Sequence, residues 1–148
     1  MPRTKPLSTV PANPANWCET SQRSVSAAWT RHYTDRPYTC WRCKVACVFT
    51  AADQRYTYEV KKASIDQHRL LCRPCWQRRN AILLALGECQ ARWNAQRTSL
   101  RQDPAFLSTW LALLDEKDQY IPYRRDTAKK NMLRKLLNPP RHTPLPPD

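Results

Sequence analysis

Only one glycine, Gly87, stands in the 148 residues of the chain, and that scarcity removes whole classes of protein. Loops that wrap a phosphate, G-x-G-x-x-G or G-x-x-x-x-G-K, need several residues with an unhindered backbone. A nucleotide-fold enzyme is therefore not expected. Long apolar runs are missing as well. The longest uncharged one, AILLALG from Ala81 to Gly87, falls far short of the roughly 20 residues that a bilayer crossing requires. The opening stretch MPRTKPLSTVPANPAN has early cations but no apolar segment behind them, so it does not read as a secretory leader. These absences point to a cytoplasmic protein with no membrane span. Acidic residues are the third shortage: 12 Asp and Glu face 25 Lys and Arg, a net charge of +13. Such a chain suits an acidic partner, nucleic acid first and an acidic protein surface second, rather than a small-molecule substrate.

Proline and cysteine are plentiful. Four of the 13 prolines lie at or before Pro14, five lie at or after Pro139, and Pro37, Pro74, Pro104 and Pro122 sit where elements should begin or end. Residues 1–16 and 138–148 lack apolar periodicity and read as disordered tails, because they bury too little to offset about 1–2 kcal/mol of backbone entropy per residue. The PLPP stretch near the end is expected to be solvated rather than a polyproline ligand. Residues 17–36, with Val25, Ala28 and Trp29 at partly helical spacing, are expected to pack on the core. Seven cysteines, an odd number, fit metal ligation in a reducing compartment better than disulfides.

Three amphipathic helices are legible after residue 74. The first runs over about 75–101 with Ile82, Leu86, Cys89, Trp93 and Leu100 on one stripe, weakened at Gly87. Asp103 and Pro104 open the second, about 104–118, which carries Phe106, Leu107, Trp110, Leu111, Leu113 and Leu114. The third, about 126–137, puts Met132, Leu133, Leu136 and Leu137 on one face, with Lys129 in its first turn able to lay its stem on that face. Short links between them predict a small helical bundle.

Cysteine spacing carries the chemistry. CWRC, Cys40 to Cys43, is followed after 28 residues by CRPC, Cys72 to Cys75. Two residues between cysteines let a tight turn aim both sulfurs at one ion, and two such turns supply the four thiolates that zinc prefers. One zinc per chain, held by Cys40, Cys43, Cys72 and Cys75, is the expectation. Structured chain must fill the spacer: Thr50 with Asp53 three residues on marks a short helix, and the Val, Tyr and Phe around it favour strands. Cys75 runs straight into WQRRNAILL, so the second pair should sit at the start of the long helix, whose dipole favours thiolate. Treble-clef and zinc-ribbon arrangements both fit that layout.

Tyr38 before the first pair, Phe49-Thr50-Ala51-x-x-Gln54 followed by Tyr56 and Tyr58, and a second pair running into basic residues together resemble a probable zinc-ribbon domain family of bacterial proteins. The likeness spans roughly residues 36–79 and implies zinc binding by the same four cysteines, in a family whose function is not settled. Here Thr50 directly follows Phe49, and Cys47 is an additional cysteine. The whole chain thus reads as α+β and α-dominated: a four-Cys module over 37–80 followed by a helical region over 75–137.

The remaining candidates read blandly. Cys47, the alternative to Cys43 as a ligand, is expected to be a free thiol, Cys18 to pack, and Cys89 to be a buried small hydrophobe. His32, His68 and His142 show no ligand spacing. Two C-x-x-C pairs outside a βαβ pattern do not fit a thioredoxin-like redox enzyme. HRLLCRPCWQRRN resembles the second knuckle of HNH-type nucleases, but the catalytic and metal-binding histidines are missing, so no enzyme is expected. Charge concentrates in two places: residues 38–80 hold nine Lys and Arg against three Asp and Glu, and residues 119–148 seven against two. Arg42, Lys44, Lys61, Lys62, Arg73, Arg78 and Arg79, helped by Lys130, Arg134 and Lys135, are interleaved with aromatic rings and form a candidate nucleic-acid surface. The rival is a protein-interaction adaptor that docks through the Trp- and Leu-rich helices, which would require Phe106, Trp110 and Leu114 to face solvent.

Overall fold

The computed structural model describes residues 7–140. The stretch 141–148, with His142 and PLPP, lies outside them, as do residues 1–6. Two units divide the chain between Cys72 and Arg73.

In the first unit, β1 (Thr9–Pro11) leads through a 3-10 turn at Pro14–Asn16 into a single helical turn, α1 (Glu19–Gln22), and a second 3-10 turn at Val25–Ala28. Strands β2 (His32–Thr34), β3 (Arg36–Thr39) and β4 (Ala46–Phe49) follow, and then the short helix α2 (Ala51–Arg55). β1 pairs antiparallel with β2, Val10 opposite Tyr33, and β3 pairs antiparallel with β4, Tyr38 opposite Cys47. Residues 9–16 are therefore built into the fold rather than forming part of a tail. Three residues of strand carry no period of their own. Their hydrogen-bond partner enters 23 positions later, and Val10 and Ala12 gain burial only by packing against the core of Trp17, Tyr33, Phe49, Ala51, Tyr58 and Ile65.

The segment 17–36 uses different residues from those its spacing suggests. Trp17 is buried, whereas Val25 and Trp29 are 83% and 80% exposed. The polar tip of the Trp17 indole explains its place, since a buried N–H needs a partner and Tyr33 supplies one. Strand chemistry at Tyr56 and Tyr58 is also overridden. α2 continues into a π-helical turn, Tyr56–Val60, which turns Tyr58 into the core while Tyr56 stays exposed.

The second unit contains three helices, α3 (Arg73–Leu100), α4 (Pro104–Lys117) and α5 (Thr127–Leu137). Gln96 leaves helical geometry (φ −133°, ψ 35°), so α3 breaks one turn before its end. Cys89, Trp93, Leu100, Phe106, Leu107, Trp110, Leu114 and Leu133 form the core. Trp110 stacks obliquely on Trp93 and Phe106 at centroid distances of 5.6 and 5.5 Å. Asp103 caps α4 by accepting the Phe106 N–H at 3.0 Å, with Pro104 in the first turn where a missing donor costs nothing. Lys129 lays its ammonium 5.6 Å from the Trp110 ring centre and donates to Gln90 at 2.8 Å. Among the described residues no helix is long and apolar enough to cross a membrane.

Candidate metal centre

The turn between β3 and β4 carries the first cysteine pair. The Cys40 N–H donates to Val45 O and the Lys44 N–H to Cys40 O, both at 2.9 Å, closing the loop around the two sulfurs. Lys44 makes the turn possible by adopting φ 62°, a left-handed conformation that a non-glycine residue enters at a cost of ~1–2 kcal/mol. Two bonds bring the second pair to this knuckle. The Trp41 N–H donates to Leu70 O at 2.7 Å, and the Tyr38 hydroxyl to Leu71 O at 3.0 Å. They fix the chain just before Cys72, and Cys75 stands in the first turn of α3, which begins at Arg73.

The 28-residue spacer is held by side-chain caps. Thr50 Oγ1 accepts the Asp53 N–H at 3.1 Å and Asp35 Oδ1 accepts the Ala51 N–H at 2.7 Å, so both anchor the start of α2. Gln54, fully buried, donates to Thr34 O at 2.7 Å and Phe49 O at 2.9 Å, which ties α2 to β2 and β4. Arg69 lies over the Phe49 ring at 4.0 Å.

Ligand atoms of Cys40, Cys43, Cys72 and Cys75 all lie within 4.8 Å of one another. The Cys43 and Cys72 sulfurs are 3.7 Å apart. A tetrahedron with Zn–S bonds of about 2.3 Å has edges of about 3.8 Å, while a disulfide would need about 2 Å. The donor set therefore fits one zinc ion. Cys40 and Cys72 are buried, Cys75 is half-buried and Cys43 is exposed. Burial alone would raise the Cys40 thiol, but backbone hydrogen bonds from Cys43, Cys72 and Arg42 outweigh it and pull the group down to about 6. This favours the thiolate that metal binding requires.

The other cysteines stand apart. Cys47, on β4, directs its sulfur to Val45 O at 3.6 Å and is not one of the clustered four. Cys89 is buried in the helical core, where desolvation raises its thiol. Cys18 contacts Ser21 Oγ at 3.1 Å, and that hydrogen bond lowers its thiol.

A knuckle in a β-hairpin, with the second ligand pair delivered at the start of a helix, defines a zinc-binding treble-clef module. Residues 34–83 match the family model described as a probable treble clef domain. No curated protein and no solved structure matches the chain.

Nine of the ten basic candidates divide into two groups, and Lys135 is exposed on α5. Around the module, Lys44 lies 5.7 Å from the Trp41 ring centre, Lys61 5.5 Å from that of Tyr56, and Arg79 4.6 Å from that of Trp76. Lys62, itself at φ 59°, donates to Asn16 O, while Arg42 and Arg73 are exposed. Three further candidates serve the helical unit instead. Arg78 forms a two-pronged pair with Glu116, both bonds at 2.7 Å. Lys130 is buried against Asp118 and Asp115, and Arg134 lies 3.8 Å from Asp115. Sequence spacing does not reveal this, because the acids that claim these cations sit on another helix, α4, and in the turn that ends it.

Proposed function

We propose that the protein is a non-enzymatic, zinc-stapled module that binds nucleic acid through the cation-paired exposed rings of its zinc module. The observation that carries this reading is that three exposed rings, Trp41, Tyr56 and Trp76, each lie under a cation. A ring open to solvent offers a stacking platform for a base, and the cation beside it meets the adjacent phosphate. Arg42, Lys44, Lys61, Lys62, Arg73 and Arg79 are the contacts. Arg78, Lys130 and Arg134 would first have to give up carboxylate partners. Zinc here is structural: four thiolates close its coordination and leave no position for substrate. Between the cysteine pairs the chain offers one histidine, His68. That falls short of what an HNH-type nuclease needs for a base and a divalent ion.

The adaptor reading asks for an apolar helical face. Phe106, Trp110 and Leu114 are 6%, 1% and 2% exposed, so that stripe is spent on the unit's own core.

The test is titration of the zinc-loaded chain against labelled single-stranded DNA, duplex DNA and RNA at several salt concentrations. Binding is expected, with a salt slope equivalent to about four or more phosphate contacts. Trp41→Ala and Trp76→Ala are each expected to cost ~1–3 kcal/mol of affinity. Absence of binding near physiological salt overturns the proposal.

A further inference from the structure

Cations in the helical unit are unevenly neutralised. Asp115, Glu116, Asp118 and Asp126 are all engaged by Lys117, Lys130, Arg78 and Arg134, and Asp103 is committed to capping α4. Glu88 lies nine residues before Arg97, about 13 Å along the helix, beyond a screening length of about 8 Å at physiological salt. Arg97, Arg101 and Lys135 are left without an acidic partner among the described residues. These three line one open groove of about 740 Å³, together with Thr98 and Gln102 and the apolar Leu136, Pro139 and Pro140.

The groove joins the ends of α3 and α5. Each helix C-terminus contributes about half a negative charge, and Asp103, although it caps α4, keeps its own, so the three cations leave a net excess of roughly one positive charge. Thr98 and Gln102 add neutral donors for oxygen. No aromatic ring lines the groove. The Trp93 ring, which lies beneath the Arg97 guanidinium at 5.7 Å, is buried. A ligand here meets charge, two neutral donors and an apolar floor of Leu136, Pro139 and Pro140, but no aromatic ring for a base to stack on.

We infer that this groove is a second nucleic-acid contact, which holds the phosphodiester backbone of a strand without reading its sequence. The inference rests on the proposed function for the identity of the polyanion. The site shares no residue with the knuckle reading and uses Arg97 and Arg101, which lie in a stretch of the chain with no excess of basic residues. A carboxylate chain is the competing occupant, and phosphate suits the planar arginine forks as a multidentate acceptor at every repeat of the strand.

The experiment uses the full zinc-loaded chain and two labelled single-stranded DNAs of unrelated sequence, with poly-L-glutamate as competitor. The variant Arg97→Gln/Arg101→Gln/Lys135→Gln is expected to bind both DNAs about 10- to 100-fold more weakly near 0.15 M salt, with a slope shallower by about two, since each single-strand contact contributes about 0.7. Lys135→Glu alone, an exposed change that leaves the core untouched, should lose about one unit of slope, and it decides the matter if the triple variant does not fold. Unchanged affinity and slope in these variants, with the wild type still binding, overturns the groove and leaves the knuckle reading standing. A loss confined to the groove variants, with Trp41→Ala and Arg79→Ala behaving as wild type, supports the groove and removes the knuckle reading. No binding by the wild type overturns both. Displacement by poly-L-glutamate as effective as by DNA of equal charge overturns the nucleic-acid assignment of the groove.

Discussion

The Trp17 indole donates a 2.7 Å hydrogen bond to the hydroxyl of Tyr33, which in turn donates to Glu59 at 2.9 Å. This chain of bonds ties the N-terminal segment, through β2, to the turn after α2, and Asn13 joins it by donating its N–H to Glu59 at 2.7 Å. Burial, against the favourable bond from Trp17, pushes the Tyr33 hydroxyl up to about 12, with the Glu59 carboxylate adding to the rise. Tyr33 therefore stays protonated and remains a donor across the working pH range.

Tyr33→Phe leaves the Trp17 N–H and one Glu59 contact unsatisfied inside the first unit. A loss of ~1–3 kcal/mol is expected from that desolvation, read as a lower urea midpoint at constant zinc. A midpoint equal to that of the wild type would show that the bonds contribute nothing net.

Glu59 gives the network a pH dependence of known sign. Burial would raise its carboxyl, but the Asn13 N–H, the Tyr33 hydroxyl and the Arg55 charge hold it below the ordinary value. Its contribution is therefore complete above the unfolded value, about 4.3, and is lost as pH falls through the lower folded one. Zinc thiolates also protonate in acid, so the diagnostic quantity is the difference between wild type and Glu59→Gln. Their stability gap should be widest near neutral pH and narrow below about pH 4.

Lys44 stores strain in the knuckle. Lys44→Gly keeps the left-handed turn without a Cβ clash, and the unfolded chain gains freedom in return. A net gain of ~0.5–1 kcal/mol is expected in thermal unfolding of the zinc-loaded protein. Destabilisation would mean that the Lys44 stem on Trp41 outweighs the backbone cost.

Lys130 belongs to the fold. Its ammonium is buried, and the two carboxylates it meets outweigh desolvation and raise it. Lys130→Met strands Asp118, one oxygen of which already has no partner, and should cost about 2–3 kcal/mol, discounted because Asp115 is half exposed. The nucleic-acid salt slope should not change, since this charge is already neutralised.

What sequence could reveal divides along physical lines. Paired cysteines impose their geometry locally, so all four ligands were legible from spacing, and the Thr50 cap and the stripes of α3 and α4 follow from neighbours within one or two turns. Choosing between the two zinc arrangements needed the hairpin and helix seen together. β1 was hidden because its partner is remote and its apolar content is two small side chains. The break at Gln96 carries no proline or glycine to announce it. Which cations are spent depends on α4 facing α5, so Lys130 and Lys135, both basic residues of one short helix, have opposite fates. Arg97 and Arg101 were invisible because the charge of residues 81–118 averages to near zero, although four of its acids are engaged elsewhere and Glu88 lies too far along α3.

The four-thiolate centre is tested most directly by the zinc content of purified wild type, Cys72→Ser and Cys47→Ser chains, with far-ultraviolet circular dichroism on each. Structural zinc sites supply on the order of 10 kcal/mol of folding energy. The expected result is one zinc per chain in the wild type and Cys47→Ser, and loss of both zinc and ordered structure in Cys72→Ser. Full zinc content in Cys72→Ser, or its loss in Cys47→Ser, would contradict the assignment of the centre to Cys40, Cys43, Cys72 and Cys75.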